Sequence, residues 1–292
     1  GQSGQPFHFS SDWKSNIYAN KIMNNVASAW FVKNSLCVLT PNGDLYIENT
    51  NSDDKTQENF LQKRFSNVKS YTASSEVFIT YAYIDSNDDL YTWGYNAYGL
   101  IGNGSKENSD TPVKIMSNVK QVSLGKDHGV AVTNDGSLFI WGTNVNGQLG
   151  NGESGSLTLL HPYLKPVKIM DNVETAIASY DLTFALTKSG ELYTWGSDYN
   201  LLGDGNTTKT TPTKIMDNVV SFDVGMYDAI ALKSDGTVWI WGYNYNGEHG
   251  NGTKNAVKTP TQFIIPADIK RCDLVFDENS DAYFTTTASS TM

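Results

Sequence analysis

The stretch 137–152, SLFIWGTNVNGQLGNG, contains the pattern that decides the fold of this chain. Apolar side chains alternate with other residues up to a Trp-Gly pair, and the sequence then changes to asparagine and glycine. Alternation with a period of two is typical of a short β-strand, and Asn and Gly are typical of turns. The stretch therefore predicts a strand that ends abruptly at Gly142.

The same pattern recurs along the chain. Short alternating runs end in Trp-Gly pairs at Gly94, Gly142, Gly196 and Gly242, and a degenerate copy, LYIEN, spans residues 45–49. A second marker, Lys-Ile-Met or a weaker copy of it, starts near residues 21, 63, 114, 168, 214 and 262. Successive markers lie 42 to 54 residues apart. A repeat of this length is typical of proteins built from copies of one small structural unit.

Each period contains four predicted strands, which are named a to d in chain order. In residues 119–170 these strands are VKQVSLG, GVAVT, SLFIWG and PVKIM, and an Asn-Asp-Gly turn joins strands b and c. The strands carry apolar residues on both sides, which a sheet covered on both faces requires. Sheets of this kind, repeated along the chain, predict an all-β fold: one β-propeller of six four-stranded blades.

The two ends of the chain predict how the ring closes. Residues 262–292 and residues 1–20 together make 51 residues, which is one period. An open solenoid would instead carry capping repeats with a polar outer face. We therefore expect residues 1–292 to form a single domain in which residues 1–20 complete the last blade.

Composition restricts the class of partner and the chemistry. The chain has 292 residues, with 21 Lys+Arg against 31 Asp+Glu, and the net charge of −10 repels nucleic acid and anionic membranes. No apolar run approaches the roughly 20 residues of a membrane-spanning helix. Cys37 and Cys272 form no metal-spaced cluster, and we expect both thiols to be free. Because no nucleophile or metalloprotease motif is present, we expect no enzyme, no cofactor and no metal site.

Residues 123–152, SLGKDHGVAVTNDGSLFIWGTNVNGQLGNG, resemble the repeat of the regulator of chromosome condensation family. The shared features are a Gly, a His, a turn Gly, an aromatic-Trp-Gly and an Asn-x-x-Gly-Gln-Leu-Gly loop, and they recur around Trp93, Trp195 and Trp241. The resemblance implies a propeller. Because family members are usually seven-bladed, seven blades are the alternative to six.

The resemblance also implies a range of functions, because this scaffold serves nucleotide exchange on a small GTPase, chromatin binding, photoreception and, in secreted bacterial members, inhibition of class A β-lactamases. Fold alone does not choose among them. The acidic balance disfavours chromatin binding. Photoreception in the family relies on clustered Trp with Arg, and the only arginines here are Arg64 and Arg271, which disfavours that function.

The order of the strands sorts the loops into two faces. The a–b turns and the loops after Trp-Gly emerge at one end of the strands, and the b–c hairpins and d–a turns emerge at the other. The first face is rich in Tyr, Asn and Asp, a composition that is typical of protein-binding surfaces. The predicted partner-binding residues are, in the a–b turns, Lys33, Asn34, Phe78, Lys126, Asp127, Tyr180, Asp181, Met226 and Tyr227 and, in the post-Trp-Gly loops, Tyr95, Tyr98, Tyr199, Tyr243 and Tyr245. The inhibitory branch of the family is similar in placing its contact residues in the a–b turns.

Two further features have structural interpretations. His128 occupies the position of the family histidine, and we expect it to form a hydrogen bond to the next blade. Residues 85–90, DSNDDL, start like a calcium loop but lack its central glycine, and their position predicts a b–c hairpin.

These observations together predict a non-enzymatic module that binds another protein. We expect a monomer that works outside a bacterial cell or at its surface. Three alternatives remain open: a β-lactamase-inhibitor-like protein, a guanine nucleotide exchange factor for a small GTPase, and a glycan-binding surface module.

Overall fold

The computed structural model describes residues 23–32, 35–49, 60–74, 78–155, 163–197, 200–205 and 208–263, together with the backbone of four further strands near the ends of the chain. The architecture is all-β. Five antiparallel four-stranded sheets, here named blades 1 to 5, each contain four strands that are consecutive in the sequence. This meander topology is the predicted a–b–c–d order, and it confirms a propeller-like fold.

The strands are numbered β1 to β24 in chain order. Blade 1 consists of β3 (Ser28–Val32), β4 (Ser35–Leu39), β5 (Leu45–Glu48) and β6 (Leu61–Phe65). Blade 2 consists of β7 (Val68–Ala73), β8 (Thr80–Asp85), β9 (Leu90–Gly94) and β10 (Ser109–Met116). Blade 3 consists of β11 (Val119–Leu124), β12 (His128–Thr133), β13 (Leu138–Gly142) and β14 (Tyr163–Met170). Blade 4 consists of β15 (Val173–Ser179), β16 (Leu182–Thr187), β17 (Leu192–Ser197) and β18 (Thr208–Met216). Blade 5 consists of β19 (Val219–Val224), β20 (Asp228–Lys233), β21 (Val238–Gly242) and β22 (Val257–Phe263).

Two two-stranded sheets lie near the ends of the chain. The first pairs β1 (Phe7–His8) with β2 (Asn20–Lys21), and the second pairs β23 (Ile269–Phe276) with β24 (Ala282–Ala288). Lys21 starts the first Lys-Ile-Met marker, so β2 corresponds to a strand d, whereas β23 and β24 follow blade 5 as strands a and b. Among the described strands, no ladder joins the two sheets. The count of six blades, and the shared last blade, therefore stay predictions.

The predicted strand boundaries in blade 3 agree with the structure to within one residue for strands a, b and c but not for strand d. This strand begins at Tyr163, three residues before the predicted start at Pro166. A proline is tolerated in this position because strand d is an edge strand, where the missing N–H removes no ladder hydrogen bond. The register between β13 and β14 shifts between Ile140 and Gly142, and this bulge lies opposite the proline segment.

The apolar core consists of layers between neighbouring blades. The layer between blades 4 and 5 contains Leu182, Phe184, Val219 and Trp241, all with almost no exposed surface. Equivalent clusters lie between blades 1 and 2, 2 and 3, and 3 and 4. Blades 2, 3 and 4 are thus covered by a neighbouring blade on both faces, which explains why their strands are apolar on both sides.

Neighbouring blades are linked by a repeated backbone hydrogen bond at the end of the strands that carries the b–c hairpins. The first amide of strand a donates to the b–c hairpin of the preceding blade, with N–O distances of 2.8 to 2.9 Å for Val68–Gly43, Val119–Asp88, Val173–Gly136 and Val219–Gly190. The residue before each of these valines is an asparagine with φ between 60° and 64°. Asparagine tolerates this left-handed conformation better than other non-glycine residues, so a Met-x-Asn-Val turn, or Phe-Ser-Asn-Val between blades 1 and 2, connects neighbouring blades.

Candidate functional site

The a–b turns and the post-Trp-Gly loops lie on one face, here called the upper face. In four blades the amide that follows Trp-Gly donates to a carbonyl in the a–b turn of the same blade. The N–O distances are 3.0 Å for Tyr95–Ile79, 2.9 Å for Thr143–Asp127, 3.1 Å for Ser197–Asp181 and 2.8 Å for Tyr243–Tyr227. The two kinds of loop therefore form one surface.

The glycine of each Trp-Gly pair makes this close approach possible. At Gly196 the backbone has φ of +106°, and a Cβ atom would lie 2.1 Å from the carbonyl oxygen of Asp181. Only glycine avoids both the unfavourable backbone angle and the clash. The Trp-Gly pair therefore fixes where the upper-face loops meet.

Each buried tryptophan of a Trp-Gly pair anchors the loop of the preceding blade. Trp141, Trp195 and Trp241 have no exposed surface, and their Nε1 atoms donate to the carbonyls of Leu100, Gln148 and Leu201 at 2.7, 2.9 and 2.9 Å. The rings also lie against loop glycines, so that a Cβ at Gly150 would lie 2.6 Å from Nε1 of Trp195. The loop glycines thus serve the neighbouring blade as well as their own turns.

A buried asparagine holds the post-Trp-Gly loop from inside in blades 2, 3 and 5. The side-chain oxygen of Asn144 accepts from the amide of Leu149 at 3.0 Å, and its nitrogen donates to the carbonyl of Glu153, also at 3.0 Å. Asn96 and Asn244 make the equivalent bonds in blades 2 and 5. In the following Gly-Asn-Gly turns, Asn103 and Asn251 accept from amides two residues ahead at 3.0 Å, which is how asparagine side chains stabilise turns.

A cleft of about 350 Å³ opens on the upper face. It is bounded by loops of blades 2 and 3 and reaches the a–b turn of blade 4. Its lining residues are Phe78, Thr80, Tyr95, Tyr98, Leu100, Lys126, Asp127, Thr143, Val145, Asn146, Gln148 and Asp181. Six of these are residues that the sequence predicted to bind a partner.

One wall of the cleft is aromatic. The rings of Phe78 and Tyr95 stack with centroids 4.8 Å apart and an angle of 25° between their planes. Tyr98 meets Tyr95 edge-on at 6.3 Å. Phe78 remains 65% exposed, which is unusual for a large apolar side chain that is held in place by its neighbours.

A second aromatic cluster lies on the upper face of blade 5. Tyr227 and Tyr243 make an edge-on contact at 5.6 Å, and Tyr243 and Tyr245 lie 5.2 Å apart. Tyr227 and Tyr245 are 47% and 66% exposed. Tyr243 follows its Trp-Gly pair as Tyr95 does in blade 2, so the repeat places the two clusters at equivalent positions.

The remaining predicted site residues differ in accessibility. Met226 and Tyr180 are half-buried. Tyr180 has φ of +48°, and its carbonyl accepts from the amide of Lys126 at 3.2 Å. Tyr180 therefore links blades 3 and 4 through its backbone. Lys33, Asn34 and Tyr199 lie outside the described residues.

Sequence reasoning missed the non-aromatic part of the cleft. Val145, Asn146 and Gln148 line it from the loop of blade 3, where the prediction selected no residue because the loop contains no tyrosine. Phe31 was also missed; it is 61% exposed and lies at the end of strand a in blade 1, beside the a–b turn. The sequence signal that could have identified these residues is their position in the repeat, next to the a–b turn or in the post-Trp-Gly loop.

His128 joins blade 3 to blade 4, as predicted. The residue is fully buried, and its Nε2 lies 3.0 Å from Oγ1 of Thr183. Because Thr183 Oγ1 donates its own proton to the carbonyl of Gln148 at 2.8 Å, Nε2 of His128 is the donor to Thr183. The same Gln148 carbonyl accepts from Trp195, so one chain of hydrogen bonds crosses the junction between the blades.

Burial lowers the pKa of His128 to about 4 from its ordinary value of 6.5. As pH falls, the unfolded chain takes up the proton first, so the contribution of neutral His128 to stability is complete above pH 6.5 and is lost as pH falls through about 4. Between pH 8 and pH 4 we expect the free energy of unfolding of the wild type to fall by about 3 kcal/mol more than that of His128→Gln.

Urea unfolding of both proteins across this pH range measures the difference. The comparison with His128→Gln removes the contributions of the other titrating groups, including His249, whose pKa burial also lowers. Parallel pH profiles for the two proteins would contradict the assignment.

The other chemical groups have structural roles. The Asp85 carboxylate accepts from the amides of Asn87 and Asp89 at 2.9 Å and closes the predicted b–c hairpin. Cys37 is a free, buried thiol, and burial raises its pKa to about 12. The side chain of Cys272 lies outside the described residues.

Within the described part of the chain, no group of three or more His, Cys, Asp or Glu residues could hold a metal ion. No helix in that part is long and apolar enough to cross a bilayer.

The geometry defines a class: a repeat β-propeller whose blades present paired loops on one face. A family model described as the Regulator of chromosome condensation (RCC1) repeat matches residues 87–132 and 135–186, and a second model of that description matches residues 119–148. Residues 87–186 accordingly carry RCC1 repeats, within a β-propeller-like fold.

Individual proteins agree with this classification. The Ultraviolet-B receptor UVR8 of Arabidopsis thaliana is 30% identical over 140 residues, which cover 44% of this chain and 30% of the receptor. The structure of Prp20p from Saccharomyces cerevisiae has a TM-score of 0.65 at 21% identity, covering 85% of this chain and 65% of that one. The structure of human WBSCR16 has a TM-score of 0.66 at 19% identity, covering 82% of this chain and 67% of that one. The chain thus matches less than a third of the length of the curated relative and about two-thirds of the two solved structures.

Proposed function

We propose that this chain is a non-enzymatic protein-binding propeller that recognises a partner protein through its upper face. The observation that carries the proposal is the group of exposed aromatic rings around and beyond the cleft, above all Phe78, Tyr227 and Tyr245. Exposed apolar patches of this kind mark interaction sites in soluble proteins. Tyrosine suits such a surface because it buries a large ring at small conformational cost and keeps a polar tip.

Rigidity and charge also support the proposal. The paired loops are fixed by backbone bonds, buried asparagines and buried tryptophans, so little conformational freedom is lost when a partner binds. The net charge of −10 favours a protein partner over nucleic acid. Prp20p, a structural neighbour, is described as having binding properties to Gsp1p and histones, and its likeness to this chain is consistent with a protein partner.

The test is the triple variant Phe78→Ser/Tyr227→Ser/Tyr245→Ser. All three side chains are exposed, so we expect the fold to be retained while the aromatic surface is removed. We expect capture of the partner to weaken about tenfold or more, because interface aromatics act as hot spots. The measurement is quantitative mass spectrometry of proteins captured from the source cells and their medium, followed by titration of the purified partner.

The matched control is Asp217→Ala in the d–a turn between blades 4 and 5, on the opposite face. We expect this variant to capture the partner as the wild type does, with an unchanged melting temperature. If the triple variant still captures every protein that the wild type does, the upper face is not the binding surface.

Three narrower functions are distinguished by direct assays on the same protein. Inhibition of class A β-lactamases, accelerated nucleotide release from a small GTPase, and binding to a glycan array each identify one of them. In each assay, the triple variant shows whether the activity belongs to the upper face, because such an activity is lost in this variant and retained in Asp217→Ala. The bacterial cell exterior is the compartment in which we propose to search for the partner.

A further inference from the structure

The cleft combines two kinds of surface that together fit a single type of side chain. Its aromatic wall consists of Phe78, Tyr95 and Tyr98, and two acidic residues, Asp127 and Asp181, belong to the same lining. Planar cations bind to aromatic faces through the ring quadrupole and to carboxylates through charge. A cleft of about 350 Å³ lies at the small end of ligand pockets and suits one side chain better than a whole ligand.

We propose that this cleft receives an arginine side chain of the partner protein. The guanidinium group would stack on the exposed ring system of Phe78 and Tyr95 and direct its N–H donors towards Asp127 and Asp181. Arginine fits better than lysine because a planar, weakly hydrated guanidinium stacks on rings and forms forked hydrogen bonds, whereas an ammonium does neither. The inference rests on the proposed function and specifies the chemistry of the partner.

Lys126 provides a test of whether the cleft binds a cation. It lines the cleft beside the two carboxylates, so one positive charge opposes two negative charges. If the cleft binds a cation, removal of this lysine strengthens binding, and removal of the aspartates weakens it. An acidic or purely apolar ligand would show the opposite response or none.

The experiment uses the full chain immobilised for selection against random peptides displayed on phage. We expect the selected peptides to be enriched in arginine, and we expect the enrichment to disappear in a parallel selection on Asp127→Asn/Asp181→Asn. For the best synthetic peptide, replacing arginine with uncharged citrulline should weaken binding about two- to thirtyfold. Lys126→Met should bind the same peptide about two- to fivefold more tightly.

The position of binding is read from amide NMR shifts of the labelled chain. We expect saturable shifts at Lys126, Asp127 and Thr143, and much smaller ones in the b–c hairpins. Selection without arginine enrichment, equal binding of the citrulline peptide, or shifts confined to other surfaces would each overturn the proposal.

These outcomes are separable from a failure of the proposed function. If the aromatic triple variant loses its partner while selected peptides show no preference for arginine, only the cleft proposal fails. If arginine peptides bind through Asp127 and Asp181 while partner capture is unaffected by the triple variant, the cleft proposal stands and the wider function fails.

Discussion

Gly196→Ala is expected to lower the free energy of unfolding by about 4 kcal/mol, a loss that single substitutions reach only through a few mechanisms. Two of these mechanisms act together here. The backbone at Gly196 has φ of +106°, which L-residues rarely adopt, and the added Cβ would lie 2.1 Å from the carbonyl oxygen of Asp181 and 3.0 Å from Cα of Leu182. Backbone atoms form this obstacle, so no flexible side chain can move away.

The control for this prediction is Gly236→Ala in a b–c hairpin. Gly236 has φ of +83°, but a Cβ there would meet no atom within 4 Å. We expect a loss of about 1 to 2 kcal/mol, which is the cost of the left-handed conformation alone. Urea unfolding measures both values, and equal losses in the two variants would show that the contact with Asp181 has no energetic consequence.

The fold was largely predictable because its main signals are local and repeated. Alternation around Trp141 and the turn glycine at 136 define the hairpin that the structure contains, and the order of strands alone sorts the loops into two faces. The Gly-rich loops were predictable as turns. The requirement for glycine at position 150 was not predictable from the local sequence, because it depends on Trp195, which lies in the next blade.

Blade 1 shows the limit of reading one repeat by comparison with another. The degenerate copy LYIEN still forms strand β5, and Glu48 stands where the other blades have tryptophan. Its carboxylate accepts from the amide of Leu36 at 3.0 Å, so the position has a different structural role. A sequence pattern detects the missing Trp-Gly pair but does not show what replaces it.

The candidate site was predictable as a face but not as a cleft. Tyrosines identified the aromatic wall, whereas Val145 and Asn146 line the cleft without any compositional signal. Which loops approach one another depends on the distance between blades, and buried residues on both sides of each sheet set that distance. The position of a cavity therefore depends on packing across repeats, which a single sequence does not encode locally.

Trp141→Ala is expected to cost about 3 to 5 kcal/mol, which is the usual range for removing a buried large aromatic side chain. The ring has no exposed surface and packs in the layer between blades 2 and 3 with Leu100, Leu124 and Ala131. Its Nε1 donates to the carbonyl of Leu100 at 2.7 Å, so the substitution also leaves a buried acceptor without its partner. Because Leu100 lines the cleft, the variant is also expected to weaken partner capture.

Two matched variants separate packing from hydrogen bonding at this junction. Trp141→Phe keeps most of the apolar ring but loses the donor, and we expect a cost of about 1 to 3 kcal/mol. Trp93→Ala removes the equivalent ring of blade 2, which is half-buried and makes no hydrogen bond to the described residues, so we expect about half the loss. Chemical unfolding, read by fluorescence, measures all three. Equal losses for Trp93→Ala and Trp141→Ala would show that the tryptophan–loop contact does not hold neighbouring blades together, and the rigid presentation of the upper face would then need another physical basis.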